Sequence, residues 1–266
     1  MPLTIAVLGG GVMGRTLATG FLRRDPAPLV LVAERRAEVA AQLSADLGVR
    51  TCSAETAVAD ADVVVLVVKP QDLGDLLAQV GSHVAAHALV ISIAAGVPTH
   101  RIEQALPAGV NVVRAMPNTP ARIDRAVTGI SAGANCTAQA LELARELLAS
   151  VGTVVDVPES LQDAVTAVSG SGPAYVFYLA EAMTAAGVEL GLDEATATLM
   201  ANRTILGAAA LLDVADESAG ELRRQVTSPG GTTAAAIAAL DAAGVDSALR
   251  AAVGAARDRS RELSGQ

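Results

Sequence analysis

The sequence predicts two domains: an α/β domain built on a doubly wound parallel sheet, then an all-α domain. Three features predict this. Short β-like runs alternate with helical runs over residues 1–158, which is the βαβ rhythm of a parallel sheet. Several of these runs are apolar on both faces, as strands covered by helices on each side must be. After about Pro158 the strand signal stops, and residues 159–266 read as long, Ala-rich helices.

Taken in order, the expected strands are 4–8, 29–33, 49–52, 63–68, 89–93, 111–114, 127–132 and 154–157. Helical runs such as 35–47 and 137–150 separate them. The second half is expected to form helices over 161–168, 173–186, 194–214, 233–243 and 247–262. Gly187, the Gly191-Leu192-Asp193 run and Gly244 punctuate them, with Asp193 as an N-cap. The helices expected over 173–186 and 194–214 are apolar nearly all round, so every side of each must be covered. About a hundred residues of helix enclose too little volume to cover two such rods alone. The expected solution is an intertwined homodimer; the alternative is packing of both helices against the sheet domain of the same chain.

The chain has 266 residues, 52% hydrophobic and 18% charged, a balance that supports packed cores and argues against disorder. A net charge of −9 argues against a nucleic-acid surface. Cys52 and Cys136 lie far apart with no CxxC spacing, which fits reduced thiols in the cytoplasm. The N-terminal apolar run breaks at Gly9-Gly10-Gly11 and reads as a strand and turn, not as a signal peptide. The charge-free stretch between Asp163 and Glu181 contains Gly170, Gly172 and Pro173, and reads as buried helix rather than a membrane span.

The first expected strand runs into Gly9-Gly10-Gly11-Val12-Met13-Gly14. Gly9, Gly11 and Gly14 occupy the G-x-G-x-x-G positions of a dinucleotide fingerprint. Gly9 allows a tight turn, Gly11 lets backbone approach a pyrophosphate, and Gly14 lets the helix lie close to the strand. The helix start then presents free N–H groups to the anion. Glu34 ends the second expected strand, where an acid accepts the ribose hydroxyls of NAD. Arg35 and Arg36 follow, and guanidinium groups there suit the 2′-phosphate of NADP. The two readings oppose each other; the balance leans to NADPH, with NADH open. Lys69, in Val67-Val68-Lys69-Pro70-Gln71, stands at the edge of the sheet where ligands bind. It serves catalysis, holds a ligand by charge, or simply faces solvent.

Further motifs follow in order: Ile91-Ser92-Ile93-Ala94-Ala95-Gly96-Val97, Arg114-Ala115-Met116-Pro117-Asn118-Thr119-Pro120, Ser169-Gly170-Ser171-Gly172-Pro173-Ala174-Tyr175, and Val226-Thr227-Ser228-Pro229-Gly230-Gly231-Thr232-Thr233. With the glycine fingerprint and Lys69-Pro70, this succession resembles the pyrroline-5-carboxylate reductase family over essentially the whole chain. The resemblance implies a Rossmann-type domain followed by a helical dimerisation domain, and often larger rings of dimers. It implies NAD(P)H-dependent reduction of 1-pyrroline-5-carboxylate to L-proline, the last step of proline biosynthesis. It implies that Gly9, Gly11, Met13 and Gly14 hold the pyrophosphate, that Lys69 and Pro70 border the nicotinamide, and that Met116 and Asn118 lie near the reacting rings. Val12, Ser53, Val68, Ala94 and Ala95 complete the expected cofactor set. Three positions depart from the family. Val12 and Ser53 stand where Asn is common, which bears on cofactor affinity and preference. Ala219 stands where Pro is frequent, in what reads as a loop.

A small imino acid needs an anion cradle and a partner for its ring nitrogen. Residues 228–233 supply the cradle, because Gly230 and Gly231 leave no Cβ in the way and consecutive N–H groups of the following helix face one anion. Ser228, Gly230, Gly231, Thr232 and Thr233 are the expected substrate residues; an ordinary helix start capped by Thr232 or Thr233 is the plainer reading. Thr233 is the expected residue beside the imine nitrogen, since a hydroxyl both donates and accepts. Residues 169–173 read as a helix start with Pro173 at its first position, and also as a wall of the substrate pocket. His83 and His87 are spaced i, i+4 but lack a third ligand, so no metal is expected; His100 reads as a structural residue in a turn. Three rivals remain. A β-hydroxyacid dehydrogenase uses a lysine of its second domain, whereas the sole lysine here is Lys69 in the first. A nucleotide sensor without chemistry does not need residues 228–233. A same-family reductase acting on another small cyclic imino acid stays open, since one methylene changes binding only modestly.

Overall fold

The computed structural model describes residues 2–264. The chain folds as two compact units, Met1–Ser171 with Ala256–Gln266, and Gly172–Ala255.

The first unit opens with β1 (Thr4–Leu8), α1 (Val12–Leu22), β2 (Leu29–Ala33), α2 (Ala37–Leu47), β3 (Arg50–Thr51), α3 (Ala54–Ala59), β4 (Val63–Leu66) and α4 (Pro70–Val80). It continues with β5 (Leu89–Ser92), α5 (Thr99–Glu103), β6 (Asn111–Met116), β7 (Ala126–Ala132), α6 (Ala138–Ala149), β8 (Gly152–Asp156) and the short α7 (Gln162–Val165). The strands form one sheet in the order β3-β2-β1-β4-β5-β6-β7-β8. All neighbours are parallel except β6 and β7. Those two are joined only by a 3-10 turn at Thr119–Ile123, too short for the crossover a parallel pair needs. Successive residues of β1 serve opposite faces: Ile5 and Val7 pack in one core with Leu17, Phe21, Leu43 and Leu147, while Ala6 and Leu8 pack in the other with Val58, Leu73, Leu77 and Ile102. This double coverage is why the strands are apolar on both sides. The chain order reverses between β1 and β4, and that is where open α/β sheets bind ligands.

The second unit holds α8 (Gly172–Glu189), α9 (Glu194–Val214), α10 (Ala219–Gln225), α11 (Thr232–Ala242) and most of α12 (Val245–Ser264). Asp193 caps α9 through a bond from Thr196 N–H. No residue of α8 is buried within the chain, and only Ala197 and Ala201 of α9 are.

Several expectations need correcting. The helix expected over 161–168 is instead α7 followed by a π-helical turn, Thr166–Gly170, closed by Ser171 N–H on Thr166 O at 2.8 Å. The stretch from Asp163 to Glu181 is therefore not one buried helix. Gly187 does not end a helix; it lies inside α8, where a Cβ would come 3.0 Å from that of Ala197, so glycine permits close approach of α9. Ala219 is not in a loop but opens α10, whose start is a capping box between Ser218 and Glu221. Proline also suits a first helical position, so a proline at 219 would be compatible with this helix start. His100 lies in α5 rather than a turn, and is exposed.

Candidate active site

The register sets the site. Leu8 pairs with Ala33 on one side and Leu66 on the other, so Gly9, Glu34 and Val67 leave the sheet together. Gly9 has φ +116°, and a Cβ there would stand 2.8 Å from Val67 O; only glycine fits. A Cβ on Gly14 would collide with the carbonyl oxygen of Gly9, so α1 rests directly on the loop. Gly11 is different. Its φ of −66° is open to any residue, and nothing lies within 4 Å of where its Cβ would be. It caps α1 with no side chain bonded to the free N–H groups. That combination leaves a bare helix tip with room for an anion, which is what a dinucleotide pyrophosphate requires.

A cleft of about 800 Å³ opens beside this tip. Gly9, Gly11, Glu34, Arg35, Arg36, Ser53, Val68 and Lys69 line it, so the structure brings together eight of the residues expected from sequence. Cys52, Gln71 and Asp72 also line it, and no sequence signal marks them. Val12 is 67% exposed at the first turn of α1, and Met13 packs against the core. Ser53 caps α3, accepting from Thr56 N–H at 3.2 Å. Lys69 is the exposed N-cap of α4, and Pro70 follows at a position where its missing N–H costs nothing.

The Glu34 carboxylate does not face the cleft as a free acceptor. Its Oε1 accepts from Arg36 N–H at 2.9 Å and Arg36 Nε at 3.0 Å. Its Oε2 accepts from Gly10 N–H at 3.0 Å and Arg36 Nη2 at 3.2 Å. The Arg36 side chain, followed by these backbone donors, holds the carboxyl at about 2 against partial burial that pushes it up. Gly10, which stands outside the fingerprint, is closely packed in this arrangement: a Cβ there would meet Leu43 Cδ1 at 2.6 Å and push that side chain aside. The run of three glycines was the available signal. Arg35 has an 88% exposed side chain, 4.0 Å from Asp72.

Val12, Met13, Gly14 and Pro70 adjoin this cleft without lining it, and Ala94, Ala95, Met116 and Asn118 also lie outside its lining. Ala94 is buried in the loop after β5 and donates its N–H to Ser92 Oγ, and Ala95 beside it is half-buried. Met116, at the end of β6, packs under Gly170. Asn118 is committed on both sides: its Nδ2 donates to Ser169 O at 3.1 Å and its Oδ1 accepts from Val127 N–H at 3.0 Å. It clamps the π-helical turn to β7. Arg114, a lone charge inside an apolar strand, was the missed signal nearby. It is buried between Glu159 at 3.7 Å and Asp163 at 3.8 Å, and burial pulls its pKa down. Ser260 donates to the same Asp163 at 2.6 Å, which fastens the end of α12 to the first unit.

In the second unit, residues 228–231 make a turn closed by Gly231 N–H on Ser228 O at 3.0 Å, with Gly230 at φ +71°. Gly231 caps α11, and no side chain bonds its first turn. Neither Thr232 nor Thr233 is the cap; Gly231 holds that position. Thr232 is exposed and Thr233 half-buried at an uncapped helix start.

Residues 159–263 match a family profile described as pyrroline-5-carboxylate reductase dimerisation. Residues 4–96 match one described as NADP oxidoreductase, coenzyme F420-dependent. A pyrroline-5-carboxylate reductase of Methanosarcina acetivorans is 41% identical over 262 residues, which is 97% of each chain. The chain belongs to the pyrroline-5-carboxylate reductase family. A solved pyrroline-5-carboxylate reductase from Coxiella burnetii superposes with a TM-score of 0.90 at 35% identity, over 99% of each chain. A Plasmodium falciparum pyrroline carboxylate reductase, solved with NADP bound, shares the fold: TM-score 0.87, 24% identity, 98% of each chain. Membership of the pyrroline-5-carboxylate reductase family makes this chain an NAD(P)H-dependent oxidoreductase. It also explains the bare helices. Phe177, Leu179, Met200 and Leu206 are each more than half exposed within the chain, and they lie in the dimerisation domain of a homodimer. Helix α9 is long and apolar enough to cross a membrane, but it belongs to that same domain. Among the described residues no group of three His, Cys, Asp or Glu side chains is placed to hold a metal.

Proposed function

We propose that this chain reduces 1-pyrroline-5-carboxylate to L-proline with NADPH as the donor. The observation that carries the reading is the pair of bare, glycine-lined helix starts, one at Gly11 and one at Gly231. Each offers N–H groups to an anion, and the reaction has two to hold: a pyrophosphate and a ring carboxylate. Gly9, Gly11, Met13 and Gly14 would hold the pyrophosphate, with Arg35 and Arg36 for the 2′-phosphate and Val12, Ser53, Val68, Lys69, Pro70, Ala94, Ala95, Met116 and Asn118 around the rest. When bound, the dinucleotide supplies a hydride. Ser228, Gly230, Gly231 and Thr232 hold the substrate carboxylate. Thr233 orients the ring nitrogen, which carries the proton that makes the imine carbon electrophilic. No strong acid is needed, because the imine is basic enough to be protonated near neutral pH. Turnover then depends on positioning. Lys69, which lines the cleft beside Gly11, holds the cofactor by charge. Two free thiols, Cys52 and Cys136, suit a reducing cytoplasm, and the homodimer is the unit from which a larger ring is built.

Cofactor oxidation at 340 nm tests this, with pyrroline-5-carboxylate and a six-membered cyclic imino acid supplied in parallel, each with NADPH and NADH. The five-membered substrate with NADPH gives the highest kcat/KM. Thr233→Ala lowers kcat by about one to two orders of magnitude. A stronger response to the six-membered ring reassigns the substrate, and wild-type turnover in Thr233→Ala removes that hydroxyl from the mechanism.

A further inference from the structure

Glu34 and Arg36 are adjacent to one cofactor position but suit different cofactors. A carboxylate at the end of β2 accepts ribose hydroxyls, whereas a guanidinium there binds a 2′-phosphate. The geometry removes the conflict. All four hydrogen bonds given to the Glu34 carboxylate come from protein: Gly10 N–H, Arg36 N–H, Arg36 Nε and Arg36 Nη2. The Glu34 side chain is 8% exposed and that of Arg36 is 65% exposed, so the acid lies beneath and the base outside. The backbone permits this because residue 10 is glycine; a Cβ there would stand 3.2 Å from Glu34 Oε2.

We infer that Glu34 is a positioning residue that clamps Arg36 and the Gly10 turn, leaving the outer edge of Arg36 to read a 2′-phosphate, and that Glu34 takes no ribose hydroxyl itself. A guanidinium has five N–H donors. Glu34 engages Nε and Nη2, so the Nη1 pair and the second Nη2 hydrogen stay available. An arginine held by its fork loses little freedom when a phosphate arrives, and this preorganisation favours the phosphorylated dinucleotide. Arg36 also lines a second, smaller cleft with Gly11 and Arg15, so it stands on the wall between two open spaces. Arg35, 4.0 Å from Asp72 and almost fully exposed, has no comparable anchor in the cleft. The low pKa of Glu34 keeps the clamp ionised through the neutral range.

The inference rests on the NADPH reading above, and calorimetric titration of the cofactor-free protein with NADP⁺ and NAD⁺ separates the two. Wild type binds NADP⁺ more tightly. Arg36→Ala weakens NADP⁺ binding by about tenfold or more and leaves NAD⁺ within about twofold. Glu34→Gln weakens NADP⁺ binding by about three- to tenfold, again with NAD⁺ nearly unchanged. A general loss of fold would weaken both nucleotides together, so the ratio of affinities is the readout, and a melting curve of each variant accompanies it. If Glu34→Gln instead weakens NAD⁺ about tenfold and spares or improves NADP⁺, Glu34 reads the ribose and the clamp is wrong while the NADPH reading stands. If wild type prefers NAD⁺, both fall.

Discussion

Gly11→Ala separates a ligand-binding glycine from a structural one. At φ −66° and ψ −171° an alanine is unstrained, and its methyl meets no atom within 4 Å. Alanine is a poorer N-cap than glycine, by about 0.5–1 kcal/mol. It also restricts the unfolded chain, which returns about 0.4–1 kcal/mol. The two nearly cancel, so the melting temperature should move by no more than about 2–4 °C. The methyl would take up open space at the bare tip of α1, where the proposed function puts the pyrophosphate. Dinucleotide affinity should fall at least about tenfold, or about 1.4 kcal/mol. Gly14→Ala is the contrast, since its Cβ would collide with the Gly9 carbonyl and the backbone must shift. That variant should lose about 1–3 kcal/mol of stability. The chain has no tryptophan, so binding is best followed by calorimetry or by the fluorescence of the reduced nicotinamide. Wild-type affinity in a well-folded Gly11→Ala protein would refute the assignment of this helix tip to the pyrophosphate.

Two further outcomes follow from named groups. The Glu34 carboxyl is lowered from 4.5 to about 2 by Arg36, so its contribution to stability is complete above about pH 4.5 and is lost as pH falls towards 2. The full displacement corresponds to about 3 kcal/mol, and the exposure of Arg36 reduces this to about 1–2 kcal/mol. The difference in melting temperature between wild type and Glu34→Gln should therefore shrink between pH 4.5 and 2; a constant difference across that interval would show that the ion pair adds no stability. For the homodimer, the double variant Leu179→Glu/Leu206→Glu places charge on both apolar helices. Light scattering should give wild type at twice 26.7 kDa or an even multiple, and the variant at 26.7 kDa or as aggregate; an unchanged mass would mean that these faces are not the interface.

All eight strands were legible in the sequence, the central ones β1, β2, β4, β5 and β6 most plainly, because they are short apolar runs whose successive residues serve two covered faces. The glycine fingerprint was legible for a local reason: Gly9 is required by its own φ, and a Cβ on Gly14 would strike the nearby Gly9 carbonyl. The capping box at Ser218 and Glu221 is a local Ser-x-x-Glu pattern of the same kind. Side-chain commitments were not. That Glu34 turns towards Gly10 depends on a neighbour 24 residues away, that Asn118 is spent on Ser169 on one 51 residues away, and that Asp163 holds Ser260 on one 97 residues away.

What the amino-acid order determined unaided was where the backbone runs straight, coils or turns, and which apolar faces demand cover, since these depend on each residue and its near neighbours. Only the folded chain decided which polar atoms stay available for a ligand, because a hydrogen bond already made to a distant part of the protein removes a group from the chemistry its sequence position implied.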